Sequence, residues 1–348
     1  MAQPVSGAGT SAQPQTPPPH AALLQMLTGK WVSFMISAVA KFGIADHLKS
    51  GPRSVEELAS VTGTQKRALY RLLRAAAGVG IFAELADGRF EQTPLSDPLR
   101  SDANPCVRNM ALFLVDEFHM RSWEQLPWCV ETGRPGPYKI YGMGAFDWLT
   151  KHPEEGVNFN NAMTDMSQSD APAIASSYDF SQFERIVDVA GGHGTLLAAI
   201  LEKTPHLRGI LLEMPHVAEE ARKSPILAAY RDRAEILGGS FFEQVPEADA
   251  YIMKHIIHDW DDPEAIKILS NCRKAIRPGG KLLVADKVVP GGNEPSLSKL
   301  MDLEMMVMPG GLERTEPEWR ELFAASGFRL TNIVTPPGMN CIIEGVPV

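Results

Sequence analysis

The stretch V187-D-V-A-G-G-H-G-T195 decides the fold. A short apolar strand ends in Asp188, and Gly191, Gly192 and Gly194 follow where a helix should begin. Glycines at such a turn let a ligand approach the backbone, and a helix N-terminus offers free N–H groups. A plain tight turn has the same composition. A dinucleotide site is the obvious rival, but G-G-x-G is one residue short of GxGxxG. The shorter form, with an acid inside the preceding strand, suits a ligand that lacks pyrophosphate. Glu213 closes the next apolar strand, 25 residues after Asp188. A carboxylate there can accept both hydroxyls of a ribose.

Outward from this turn, short apolar runs alternate with helical stretches: RIVDV, GILLEM, AEILGG, AYIMKHII and KLLVADKVV. That rhythm predicts an α/β, Rossmann-like, doubly wound and mostly parallel sheet over 181–348. FRLTNIVTPPGMNCIIEGV reads as two strands turning at Pro336-Pro337-Gly338, an antiparallel finish.

The N-terminal part differs. Residues 1–19 are rich in Pro, Gln, Ser, Thr and Gly and read as a disordered arm. LLQMLTGKWVSFMISAVAKFGIADHL is apolar on almost every side and predicts buried helices that pair with a second copy, a homodimer. Ser54 and Glu57 form a capping box, Thr64 is placed to cap a second helix, and Asp87-Gly88 marks a hairpin turn. Together these predict a winged-helix shape over 20–103. Residues 104–180 read as a helical linker that walls a pocket.

Arg67, Arg71 and Arg74 share one helical stripe, as a DNA-reading helix would show. The winged-helix stretch 54–85 nets only +1, however, and the whole chain carries −9. Such a balance argues against nucleic-acid binding, which needs clustered Lys and Arg. The four cysteines lie far apart with no CxxC, which suits reduced cytoplasmic thiols. No apolar run approaches a membrane span of about 20 residues, and no signal peptide is evident.

M253-K-H-I-I-H-D-W-D-D262 carries the remaining chemistry. His258 lies at the C-terminal exit of a strand, where ligands bind in open α/β sheets. His255, three residues earlier in a strand, should face the opposite side, so the two should not share a metal. Asp261, Asp262 and Glu264 fit the first turn of the following helix. By residue type alone, His258 is as readily a satisfied strand-end histidine as a general base.

VDVAGGHGT, LLEMPHV, GGSFFE, MKHIIHDWDD, IRPGGKLLVADKVVP and GGLERTEPEW occur in an order that resembles the S-adenosylmethionine-dependent O-methyltransferases of the plant caffeate and bacterial polyketide-tailoring type. The resemblance spans nearly the whole chain and is strongest in the C-terminal half. It implies a winged-helix dimerisation domain at the N-terminus. It implies that Asp188, Gly191, Gly192 and Gly194 shape the methionine end of a cofactor site and that Glu213 and Met214 hold the ribose. Ser240 and Phe241 would meet the adenine and Lys254 the cofactor's edge, with Met163 and Ser167 of FNNAMTDMS above it. The family usually has Asp where this chain has Ser240, and a serine accepts from the adenine amine more weakly than a charged group.

The same resemblance makes His258 the general base, with Glu313 and Asp286 in the two flanking acidic positions. Glu313 would accept from His258 Nδ1–H and leave Nε2 for the acceptor, while Asp286 supports the substrate side. Asp259 would be a structural neighbour. Met301, Asp302 and Met305 of KLMDLEMMVMPGG, with Phe159, Asn160, Met163 and Trp260, would border the acceptor. A methionine stripe is usually core, but Met also fits flat aromatic rings. The expected reaction moves a methyl group to a hydroxyl of a small aromatic metabolite, with S-adenosylhomocysteine as product and no metal. The alternatives are N- or C-methylation, a relative that binds the cofactor but decarboxylates or hydroxylates, and a ligand-sensing DNA-binding regulator.

Overall fold

The computed structural model describes residues 17–338 and 340–348. Residues 1–16 of the predicted arm lie outside them, and Pro19 already begins a helix. The first unit holds α1 (Pro19–Leu27), α2 (Gly29–Lys41), α3 (Ile44–Leu48), α4 (Val55–Thr62), α5 (Lys66–Gly78) and the hairpin β1 (Phe82–Glu84) with β2 (Phe90–Gln92). The Ser54 hydroxyl accepts from Glu57 N–H, and the Glu57 carboxylate accepts from Ser54 N–H. Thr64 does not cap α5. The Gln65 side chain does, accepting from Ala68 N–H at 2.6 Å.

The expectation of buried N-terminal helices is corrected within the single chain. α1 has no buried residue, Met26 is 76% exposed and Trp31 66%. Monomeric proteins rarely expose so continuous an apolar face. The expectation that no run approaches a membrane span is corrected too. Pro19–Lys41, 23 residues with mean hydropathy 1.3, is long and apolar enough to cross a membrane by length and composition.

Six helices follow: α6 (Arg108–Phe113), α7 (Glu117–Trp123), α8 (Leu126–Thr132), α9 (Gly136–Tyr141), α10 (Ala145–Lys151) and the 25-residue α11 (Pro153–Ser177). At 1.5 Å per residue α11 is about 37 Å long. It reaches from α6, where Asp165 accepts from Asn109, to the sheet, where Ala171, Ile174 and Ala175 are buried.

The remaining strands are β3 (Arg185–Val189), β4 (Arg208–Glu213), β5 (Ala234–Gly238), β6 (Ala248–Lys254), β7 (Ile276–Asp286), β8 (Phe328–Val334) and β9 (Cys341–Pro347). They form one sheet in the order β5-β4-β3-β6-β7-β9-β8. The first five in that order run parallel, and β9 runs antiparallel to both of its neighbours, β7 and β8. Helices α12 (Thr195–Lys203), α13 (Pro215–Lys223), α14 (Asp262–Ala275), α15 (Leu297–Val307) and α16 (Glu316–Ala325) complete the chain.

Both faces of the sheet are covered, which is why its strands read as continuous apolar runs. Val187, Tyr251, Met253 and Val284 pack against Leu269 of α14 and Trp319 of α16. Ile186, Leu211, Ile252 and Leu283 pack against Leu197 and Ile200 of α12. Chain order reverses between β3 and β6, so a crevice opens beyond their C-terminal ends, where such sheets bind ligands. Asp188, Glu213, Lys254 and Asp286 lie at or next to the C-terminal ends of four adjacent parallel strands.

Candidate active site

Around the glycine turn, backbone geometry explains the residue types. Gly192 and Gly194 have φ of +61° and +84°, a region that only glycine enters freely. A Cβ on Gly191 would lie 2.3 Å from Asp188 Oδ2, so no side chain fits between loop and carboxylate. Both Asp188 oxygens are buried without a hydrogen-bond partner among the described residues. Burial pushes the Asp188 carboxyl up to about 7, against the pull of Lys254. Glu213 is also pushed up to about 7 by burial, although it accepts from Met214 N–H at 2.7 Å and Gly192 N–H at 3.0 Å. Burial lowers the Lys254 ammonium, while Asp170, Asp188 and Asp286 counter it. Unpaired Asp188, beside Glu213, which takes one backbone bond on each oxygen, fits a cationic ligand that also carries hydroxyls.

The other residues assigned to this region are placed as follows. Ser240 Oγ accepts from Phe242 N–H at 3.3 Å within its own turn. The Phe241 ring packs edge-on to Trp260 at 6.1 Å. Ser167 Oγ donates back to Met163 O at 2.8 Å along α11. Asn160, expected to border the acceptor, donates to Glu220 Oε2 of α13 at 3.2 Å. Thr164 and His193, which the sequence did not single out, meet at 3.0 Å and tie α11 to the glycine turn.

The acidic cluster forms around His258. Its Nδ1 lies 2.8 Å from Glu313 Oε1, and the ring is buried. Glu313 arrives on a loop that hugs the His258 turn: a Cβ on Gly311 would sit 2.0 Å from His258 O. Buried Arg314 locks that approach by donating to Ile257 O at 3.3 Å, Trp260 O at 3.0 Å and Asp262 Oδ1 at 2.8 Å. Asp302 of α15 accepts from Glu313 N–H at 2.9 Å. Neither Gly311 nor Arg314 carried a signal in the sequence beyond its place in GGLERT.

The predicted separation of His255 from His258 is corrected. β6 ends at Lys254, His255 takes a φ of +57°, and His258 sits in a 3-10 turn over Ile257–Asp259. The two-residue strand alternation therefore no longer applies, and the rings stack at 5.2 Å with 17° between planes. His255 N–H donates to Asp286 Oδ1 at 2.9 Å, and its Nε2 lies 2.8 Å from Asn340 Oδ1. Asn340 in turn donates to Asp170 of α11 at 2.8 Å. Among the described residues no group of three or more His, Cys, Asp or Glu is arranged to hold a metal.

Burial alone would lower the His258 pKa. Asp286, Glu313 and Asp259 outweigh it and raise it to about 9. His255 goes the other way, well below 6.5, through burial and the nearby Lys254 and Lys287. Two stacked imidazoles thus hold opposite protonation preferences, the usual mark of an acid/base site. Asp259, read as a structural neighbour, has Oδ1 3.6 Å from His258 Nε2, and burial pushes its carboxyl up to about 7.

Aromatic rings lead away from this cluster. Trp260 stacks on Phe146 at 5.6 Å, Phe146 meets Phe159 at 6.2 Å, and Phe159 meets Phe113 at 5.6 Å. Met305 is buried on α15, and Met301 lies one turn before it, partly buried.

The O-methyltransferase domain description matches residues 123–329, and the O-methyltransferase dimerisation domain matches 24–102. Phenazine O-methyltransferase PhzM of Lysobacter antibioticus is 42% identical over 94% of this chain and 96% of its own length. The crystal structure of LaPhzM superposes with a TM-score of 0.91 at 41% identity, covering 95% of this chain and 100% of that one. CalO1, a methyltransferase of calicheamicin biosynthesis solved in its SAH-bound form, has a TM-score of 0.82 at 33% identity, covering 94% and 98%. The exposed apolar face of α1 and α2 falls largely inside the dimerisation match, which supports a homodimer. The chain belongs to the S-adenosylmethionine-dependent O-methyltransferases and carries both their catalytic and their dimerisation domain.

Proposed function

We propose that the acceptor is a planar hydroxylated aromatic molecule and that His258 takes its hydroxyl proton, oriented by Glu313. The 2.8 Å contact between His258 Nδ1 and Glu313 Oε1 carries this reading. A carboxylate on Nδ1 fixes that nitrogen as the donor, so in the neutral ring Nε2 is the acceptor. A phenol has a pKa near 10, so only about one molecule in a thousand is ionised at pH 7. An imidazole raised to about 9 is a nearly matched acceptor for that proton. Asp286 supports the arrangement from behind by holding the backbone of His255, whose ring lies against His258.

S-adenosylmethionine, when bound, supplies a methyl group already activated by a positive sulfur. Gly191, Gly192, Gly194 and Asp188 would take its amino-acid end, Glu213 and Met214 its ribose, and Ser240 and Phe241 its adenine. Lys254 and, from α11, Met163 and Ser167 would close the edges. The chain's remaining task is alignment, which supplies at best about 7–11 kcal/mol of the barrier. The aromatic wall of Phe159 and Trp260, with Met163, Met301 and Met305, favours a flat ring. The relative phenazine O-methyltransferase PhzM supports the same acceptor class.

The test is label transfer from methyl-labelled S-adenosylmethionine to hydroxyphenazines, naphthols and catechols, with aliphatic alcohols and arylamines alongside. Label on a ring-bound oxygen is expected. Label confined to nitrogen, carbon or aliphatic oxygen would overturn the acceptor class.

A further inference from the structure

We propose that Glu304, held by His119 and Trp123, is a second polar anchor in the acceptor site. It receives an O–H or N–H that the acceptor carries away from the hydroxyl to be methylated. This inference rests on the aromatic-acceptor reading above and narrows it to acceptors with two polar groups.

Glu304 lies on α15 between Met301 and Met305, one helical turn before Met308, which packs with Phe146 and Phe159 of the ring wall. Its Oε2 accepts from Trp123 Nε1–H at 2.5 Å and lies 3.2 Å from His119 Nε2. His119 is buried, and its ring meets Phe113 edge-on at 5.1 Å. Phe113 meets Phe159, and the ring sequence continues through Phe146 to Trp260, two residues from His258. The wall therefore has His258 near one end and the His119–Glu304 pair at the other.

Two atoms of that pair remain without partners. His119 Nδ1 is buried and makes no hydrogen bond among the described residues. His119 Nε2 faces the Glu304 carboxylate, which leaves Nδ1 as the ring nitrogen without a partner among the described residues. Glu304 Oε1 receives no hydrogen bond from a described residue, and the Trp123 indole donates to Oε2 instead. A carboxylate among aromatic rings is costly to desolvate unless something donates to it. Trp123 engages only Oε2, so a purely structural role makes no use of Oε1 or of the buried His119 Nδ1. The free oxygen of Glu304 calls for a donor and repels a carboxylate or carbonyl. The fitting acceptor is a flat ring system with one hydroxyl to methylate and a hydroxyl, amino or ring N–H group at its far end.

The test uses matched pairs of fused-ring phenols, phenazine and naphthalene, with either a hydroxyl or a methoxy group on the second ring. The ratio of kcat/KM within each pair is measured in wild type, Glu304→Gln and His119→Phe. The wild type should favour the free hydroxyl by about tenfold or more. Glu304→Gln offers an N–H in place of an oxygen. It should cut the ratio to within about threefold and raise relative turnover of the methoxy partner, which loss of structure alone would not do. His119→Phe keeps an aromatic ring and should also reduce the ratio, and it decides the matter if Glu304→Gln does not fold. A ratio near one in wild type, or one unchanged in both variants, overturns the proposal. Absence of label on oxygen with every acceptor instead fails the function reading itself, and this inference with it.

Discussion

The ring of His255 lies flat against that of His258, 5.2 Å between centroids, and links it through Asn340 to Asp170 on α11. A chain of contacts thus joins the helix over the cofactor crevice to the imidazole beside Glu313. His255→Ala removes the stacking surface and the Asn340 bond. We expect acceptor turnover to fall about tenfold or more, by analogy with a lost outer support at a catalytic group. His255→Phe keeps the surface and should recover part of that loss. Equal loss in both variants would place the effect in the Asn340 bond rather than the stack.

The pH dependence follows from His258. Its pKa is raised to about 9, so the neutral, proton-accepting form grows as pH rises. The rate of methyl transfer to a phenol should climb from pH 7 towards 9 in the free enzyme's kcat/KM profile. Glu313→Gln removes one charge that holds the proton on the ring, so the acidic limb should move to lower pH while the maximum drops. An unchanged limb would separate Glu313 from the titration.

Asp188 and Glu213 act on stability in the opposite sense to most carboxylates. Both are raised to about 7, above unfolded values near 3.9 and 4.3. The folded state therefore holds more protons between about pH 4 and 7. Their contribution is complete below about pH 4 and is lost as pH rises through 7. The ligand-free protein should show a thermal midpoint that falls from pH 5 to pH 8, beyond the change in an Asp188→Asn, Glu213→Gln variant. Affinity for the cationic cofactor, read by calorimetry, should rise over the same interval and release protons.

The exposed face of α1 and α2 should be covered by a second copy. Trp31→Asp places a charge where Trp31 is 66% exposed in the single chain. Sedimentation at micromolar concentration should show the wild type as a dimer and the variant shifted towards monomer. Identical masses would move the interface elsewhere.

The sheet was readable in the sequence because parallel strands buried on both faces must be apolar throughout, and Asp188 and Glu213 interrupt that rule at strand ends. The Ser54 cap and the Asp87-Gly88 turn were readable because they are local. The partnership of His255 and His258 was not, because it depends on a positive φ that ends strand alternation at one residue. Gly311 and Arg314 escaped notice because their contacts join loops more than 50 residues apart. Glu304 and His119 were hidden for the same reason, since only the packing of α7 against α15 joins them.

The central claim is that His258 removes the acceptor's proton, and the most direct measurement varies the acceptor's own acidity. Single-turnover label transfer would be compared in wild type and His258→Asn across phenols of one shape, from pKa near 10 to well below the assay pH. General-base catalysis is worth about 10²–10⁴-fold. The defect of His258→Asn should be of that order with the weakly acidic phenols and should shrink towards none with acceptors already ionised in solution. A defect of the same size across the whole series would contradict the claim and leave His258 a residue that shapes the site without taking the proton.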